Sequence, residues 1–236
     1  MVYVLPPVIK LKRIALDLLF PRWCINCGRE GEYICRDCSK LLSVLKPPIC
    51  PKCGRPQDNK QICRDCINKR TDIDGIRSPF IFEGVIRQAV HKLKYDNIRA
   101  LAEPLAVFLY NYLINNPITA EVLVPVPLHQ KRLRERGYNQ SGLLTKELSK
   151  LSGLPVMGNC LVRYRHTPPQ ARSASINERR ENVTDAFMCI DNSMQDKRVL
   201  LIDDVATSGT TLNTCAGKIK SAGAISVWGL TVALEL

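Results

Sequence analysis

Eight of the chain's eleven cysteines fall in four Cys-x-x-Cys pairs: Cys24/Cys27, Cys35/Cys38, Cys50/Cys53 and Cys63/Cys66. Such a turn aims two thiolates the same way from one backbone knuckle. Two knuckles face to face make the tetrahedral four-thiolate cage of structural zinc. Four knuckles therefore predict two structural Zn2+ ions. Gly28 and Gly54 follow two of the pairs, where a tight knuckle needs positive φ. A disulfide framework would need an oxidising compartment, and no export signal is visible. A thioredoxin-type redox site carries one such pair rather than a series. An iron–sulfur cluster stays open for any four thiolates. Short loops close at lower entropic cost, which favours sequential cages, Cys24/Cys27 with Cys35/Cys38 and Cys50/Cys53 with Cys63/Cys66, over a cross-braced alternative. The isolated Cys160, Cys189 and Cys215 read as small buried hydrophobes.

A second concentration of chemistry lies in VLLIDDVATSGTTL, residues 199–212. An apolar strand ends on Asp203-Asp204 and delivers a small polar loop, Thr207, Ser208, Gly209, Thr210 and Thr211, to the start of a helix. Ligands of open α/β sheets collect at such strand ends, and a helix N-terminus with hydroxyls and free N–H groups takes a phosphate. Two carboxylates beside it would accept hydrogen bonds from vicinal hydroxyls. The combination describes a ribose 5-phosphate. Upstream, LVPVPLHQKRLRERGYNQS forms a second anion loop, with Pro127 stiffening it and Lys131, Arg132 and Arg136 supplying charge for a pyrophosphate. Residues 129–181 hold 11 Lys+Arg against 4 Asp+Glu, a net +7.

The elements that must position these groups follow from hydrophobic periodicity. Residues 8–20 form an amphipathic helix pattern within an N-terminal segment 1–20, packed on the neighbouring domain, and a double zinc ribbon spans 21–75 with Pro47-Pro48 as a rigid connector between two hinged halves. Residues 76–236 alternate strands with helices. SPFIFEG, EVLVPVPL, KRVLLIDDV and ISVWGLTVAL read as strands, while VIRQAVHKLKY, LAEPLAVFLYNYLI, SGLLTKELSKL and TLNTCAGKIKSAG read as helices. Near-continuous apolar strands imply burial on both faces, hence an α/β fold with a mostly parallel sheet. A length of 236 residues at 45% hydrophobic and 24% charged supports one sizeable domain with an appendage and excludes wholesale disorder. No run approaches the ~20 apolar residues of a membrane helix, so a cytoplasmic protein is expected. With 34 Lys+Arg against 22 Asp+Glu, the net charge of +12 favours phosphate-bearing partners.

VLLIDDVATSGTT resembles the PRPP-binding motif of type I phosphoribosyltransferases. Together with the zinc knuckles, HKLKY at 91–95, PVPLHQKRLRERGYNQS and RYRHTPPQARSASINERRENVTDAF, it resembles the ComF family from about Leu19 onward. The resemblance implies a sheet of the type I phosphoribosyltransferase kind, Asp203 and Asp204 as catalytic residues on the ribose hydroxyls, Thr207 to Thr211 on the 5′-phosphate, and Mg2+ bridging ribose hydroxyls and pyrophosphate. It also implies a closing lid over 163–182, with Tyr164, Arg165, Thr167 and Arg179 as contacts. The family link extends to transforming single-stranded DNA and a competence helicase as partners. One departure stands out: purine-salvage members carry an Asp base where this chain has Thr207.

Two functions follow. One is an enzyme transferring phosphoribosyl from PRPP to a nucleophile. The other is a non-catalytic, zinc-dependent adaptor for single-stranded DNA, for which the basic stretch offers only Tyr138 and Tyr164 as stacking rings, with Trp23 and Tyr33 beside the knuckles.

Overall fold

The computed structural model describes residues 21–59, 61–68, 71–164 and 186–236. The amphipathic segment 1–20 and the lid residues Arg165, Thr167 and Arg179 lie outside them. Two single-turn helices, α1 (Arg36–Ser39) and α2 (Arg64–Ile67), belong to the cysteine knuckles. The chain then runs β1 (Gly75–Arg77), β2 (Phe80–Ile81), α3 (Gly84–Tyr95) and, after a short 3-10 turn, α4 (Ala102–Asn115). It continues through β3 (Val122–Pro125), α5 (Gln130–Arg136), α6 (Gln140–Ser152), β4 (Leu161–Arg163), β5 (Phe187–Cys189), β6 (Arg198–Ala206), α7 (Thr210–Ser221) and β7 (Ser226–Leu234).

The main sheet is parallel, in the order β1-β7-β6-β3, and β2 pairs farther along the same edge of β7. Val122 to Pro125 pair with Val199 to Ile202, and Arg198 to Ile202 with Ser226 to Leu230. Alternation along the strands sorts the core into two layers. Leu123, Leu200, Ile202, Leu230 and Val232 pack with α3, α4 and α6 through Val90, Leu105 and Leu144. Val122, Val199, Leu201 and Val227 pack with α7 through Leu212 and Ile219, and with Phe187 of the antiparallel β4–β5 pair. Burial on both faces explains the absence of polar alternation in β3 and its neighbours. Truncating a core leucine such as Leu200, 1% exposed, to alanine would cost ~2–5 kcal/mol.

Both sheet edges are covered. Leu45 N–H donates to the Pro79 carbonyl at 2.9 Å, Ile81 N–H to Ser43 at 2.8 Å and Ile76 N–H to Lys52 at 2.7 Å, so ribbon backbone lines the β1/β2 edge. On the far side Leu123 donates to Pro155 and accepts from Met157, both at 2.9 Å. Among the described residues no helix is long and apolar enough to cross a membrane.

Candidate functional site

The cysteine sulfurs gather as the sequential arrangement requires. Cys24, Cys27, Cys35 and Cys38 form one group and Cys50, Cys53, Cys63 and Cys66 another, the ligand atoms of each within 4.8 Å of one another. Gly28 and Gly54 turn the knuckles at φ of 72° and 75°. Two copies of one plan are visible. Arg29 pairs with Asp37 at 2.6 Å, and Arg55 with Asp65 at 3.4 Å, each joining the first knuckle to the second. The repeated CGR and CRDC tetrads and triads in the sequence carry that signal.

Thiol electrostatics fit a metal. Burial would raise Cys24, but backbone N–H groups from Cys35, Cys27 and Asn26 outweigh it and hold the thiol down at about 6. Cys50 behaves alike, with burial opposed by the N–H groups of Cys63, Cys53 and Lys52, also to about 6. Asn26 donates to Cys38 Sγ at 3.3 Å, which favours its thiolate, yet burial and the neighbouring thiols push Cys38 up to about 12. Four thiolates this close ionise together only around a cation. An all-sulfur donor set closes the coordination sphere of Zn2+ and leaves no open position, so both ions are structural.

In β6 the acid pair lies inside the strand, because Val205 and Ala206 still pair with Ala233 and Leu234. The apolar run predicts a strand that ends at the acids; pairing carries it two residues further. Being inside it, the two carboxylates part to opposite faces of the sheet. Asp204, 3% exposed, turns toward α3, where Lys94 Nζ reaches its Oδ1 at 2.8 Å. Its Oδ2 is buried with no hydrogen-bond partner among the described residues. Asp203 accepts from Ser141 Oγ at 2.7 Å and from the Asp204 N–H at 2.9 Å. By surface area it keeps an accessible edge, but protein surrounds it densely. Burial, then the charge of Asp204, push Asp203 up to about 7 against the pull of Ser141 and Lys94. Lys94 and Ser141 lie within the HKLKY and PVPLHQKRLRERGYNQS motifs, but the sequence gives neither a role.

After the strand, Thr207 and Ser208 are exposed and Gly209 takes φ 73° as N-cap of α7, offering no side chain to the helix's first N–H groups. A Cβ there would sit 2.9 Å from Ile76 Cδ1, the movable tip of that side chain, so the positive φ rather than space is what favours glycine. Ser208 and Thr210 hydroxyls are hydrogen-bonded at 2.9 Å, with Thr211 next in the first turn.

The basic segment enters a helix through its cations. Pro127 lies in a loop, but Lys131, Arg132 and Arg136 ride on α5, capped by His129 Nδ1 accepting from Lys131 N–H at 3.2 Å. Residues 137–141 form a brace between this helix, the core and the sheet. Gly137 ends α5, and the Tyr138 hydroxyl donates to the Leu93 carbonyl. Asn139 caps α6 by accepting from Ser141 N–H at 3.1 Å and donates to the Val126 carbonyl at 3.0 Å, while Arg136 donates to Gln140. Val126 N–H in turn donates to Ile202 at 2.9 Å, which ties the loop to the strand of the acids. Burial, then the nearby charge of Arg132, lower the Arg163 pKa, with Asp203 pulling the other way. Thus Arg132, Arg163 and Asp203 share one neighbourhood. Tyr164 leaves β4 half exposed, its N–H donating to Ala186 at 3.0 Å.

Two cavities lie elsewhere. One of ≈ 700 Å³ opens at the N-terminal ends of the strands beside Arg77, Arg198 and Trp228, and one of ≈ 500 Å³ lies between the β4–β5 pair and α7. Neither is lined by the acid pair or the threonine loop.

Residues 15–67 match the model of the double zinc ribbon domain. Along most of its length the chain is 31% identical, over 223 residues, to Competence protein F of Haemophilus influenzae, covering 88% of this chain and 95% of that one. The chain belongs to the ComF family. Within the ComF family it is also similar to Competence protein ComFC of Bacillus subtilis, 31% identical over 86% of this chain and 85% of the relative. DNA utilization protein YhgH of Escherichia coli is 28% identical over 90% and 98%. Among solved structures, the glutamine PRPP amidotransferase of Bacillus subtilis matches 55% of the chain and 26% of its own at 18% identity and a TM-score of 0.37. The purine phosphoribosyltransferase of Pyrococcus horikoshii matches 56% and 71%, also at 18%, with a TM-score of 0.35. Likenesses this distant carry no activity over to the ComF chain.

Proposed function

We propose that this protein binds Mg2+-PRPP at the β6–α7 junction and acts in the cytoplasm on single-stranded DNA during its uptake or processing, with phosphoribosyl transfer as its chemistry. The observation that carries the proposal is Asp204, a carboxylate buried to 3% whose Oδ1 is held by Lys94 while Oδ2 has no partner among the described residues. A merely structural acid would satisfy both oxygens, since an unpaired buried acceptor costs ~1–3 kcal/mol. A ribose hydroxyl would supply the missing donor.

In the proposed site Thr207 to Thr211 and the N–H groups of α7 hold the 5′-phosphate, Asp203 and Asp204 orient the ribose from two sides, and Arg132 with its neighbours on α5 draws the pyrophosphate. Mg2+, when bound with PRPP, would neutralise charge on the departing pyrophosphate. The C1′–oxygen bond to pyrophosphate breaks as the acceptor bonds to C1′, through an oxocarbenium-like transition state, so positioning and charge dominate the rate. With Thr207 at the position of the purine-salvage base, an acceptor that needs no deprotonation by that residue fits best.

Calorimetry with PRPP and Mg2+ tests the site. Wild type should bind, and Asp203→Asn/Asp204→Asn should lose several kcal/mol of binding; wild type that does not bind ends the proposal. A second reading, an adaptor that holds DNA and a competence helicase without turnover, is favoured by the net charge of +12 and by relatives named for competence and DNA utilization. It gains precedence if PRPP does not bind.

A further inference from the structure

Helix α3 buries Val85, Ile86, Ala89, Val90 and Leu93, which already anchors it to the core. On its outer side Arg87, His91 and Tyr95 stand exposed at i, i+4 and i+8, about 6 Å of helix axis per step. Phe82 stacks on His91 with centroids 6.0 Å apart and planes within 18°, and His91 meets Tyr95 at 5.6 Å with a 48° tilt. The Arg136 guanidinium, from α5, lies 5.4 Å from the centre of the Tyr95 ring. Tyr95 is nevertheless 69% exposed, so the arginine leaves most of its surface open. The basic stretch alone shows few rings; folding brings Phe82, His91 and Tyr95 to it from an earlier part of the chain.

We propose that this stripe is a stacking platform for single-stranded DNA, with bases on Tyr95 and His91 and phosphates beside Arg87 and Arg136; it rests on the DNA half of the function proposed above. Rings interleaved with guanidinium groups match the alternation of flat bases and charged phosphates in a single strand, and every base has a face to stack. A duplex hides those faces. An acidic peptide would use the cations and leave the rings idle. Tyr95 directly follows Lys94, whose ammonium is 2.8 Å from Asp204, so a strand on the platform arrives at the rim of the proposed ribose site.

Anisotropy titrations of a labelled single-stranded oligonucleotide with full-length, zinc-loaded protein test this. Tyr95→Ala should weaken binding about tenfold, within the range of one lost base stack, and Tyr95→Trp should bind at least as tightly as wild type. Arg136→Gln should reduce the salt slope by about one. Tyr95→Ala and Tyr95→Trp should keep the zinc content and melting temperature of wild type, whereas Arg136→Gln also loses its hydrogen bond to Gln140 and is compared at matched folded fraction. Tyr95→Ala within twofold of a wild type that binds overturns the platform alone, as does equal competition by the duplex of the same sequence. A wild type with no affinity at low salt overturns the DNA reading and the platform with it.

Discussion

At the scale of single residues, the Lys94–Asp204 pair joins a side chain 20% exposed to one 4% exposed, so removing one partner is not equivalent to removing both. Lys94→Met strands a buried carboxylate and should destabilise the fold by about 3 kcal/mol in urea unfolding at neutral pH. Lys94→Met/Asp204→Asn should recover most of that loss, because the uncompensated charge has gone. A single variant as stable as wild type would show the ion pair to be idle. Asp203 gives a pH dependence. Its folded carboxyl titrates at about 7, against ~3.9 for an unfolded aspartate. The folded state therefore holds the proton more tightly, and stability of the ligand-free protein falls as pH rises across that window. Asp203→Asn should flatten that fall relative to wild type. An unchanged slope in the variant would place the titration elsewhere. The acids and the threonine loop are legible in sequence because they are contiguous. Lys94 and Ser141 are not, since each meets its aspartate only after α3 and α6 have packed on the sheet.

Secondary-structure elements show the same division. Strands β3, β6 and β7 are readable as apolar runs because both faces are buried, whereas β1 is only Gly75–Arg77 and begins with a residue that β propensity disfavours. Its glycine is required by a neighbour: a Cβ on Gly75 would lie 2.4 Å from the Trp228 ring, a contact no local pattern encodes. The basic run 130–136 carries charge that suits either a loop or a helix, and its helical state is fixed by His129 at one end and Gly137 at the other. Asn139 is the joint of this region, capping α6 with one end of its amide and tying the Val126 carbonyl with the other. Asn139→Ala should cost about 1–2 kcal/mol by thermal or urea unfolding, a cap and a partly buried hydrogen bond together. It should also weaken ligand binding more than its distance from the ligand suggests, because Ser141 follows in the first turn and orients Asp203. Loss of stability with full ligand affinity would separate the brace from the site.

For the whole molecule, the ribbons and the α/β sheet share an interior instead of hanging together as beads. Cys24, Ile34, Cys35 and Cys38 belong to the same apolar cluster as Phe80, Val85 and Leu105. The cysteines of the second cage lie outside both clusters; Ile49 beside them packs against the second cluster from its rim, and backbone contacts, Ile76 N–H to Lys52 at 2.7 Å and Arg77 to the Pro51 carbonyl at 2.9 Å, tie the rest. Deleting the ribbons to test for DNA binding would therefore uncover the sheet edge and part of its core, so point variants are the cleaner probe. Wild type should carry two zinc ions per chain, and Cys24→Ser and Cys50→Ser should each lose about one. Their effects on the α/β domain should differ. Cys24→Ser opens a cage that is part of the main core and should lower the helical melting transition by about 5–10 °C, as a loss of ~2–3 kcal/mol does in a domain of this size. Cys50→Ser should shift it less, because the sheet loses an edge cover and only the rim packing of Ile49. Circular dichroism melts run beside zinc release to a chelating dye would read both. If the two variants shift the helical transition equally, or Cys24→Ser leaves it in place while zinc is lost, the first cage folds independently of the sheet and the shared interior carries no cooperativity.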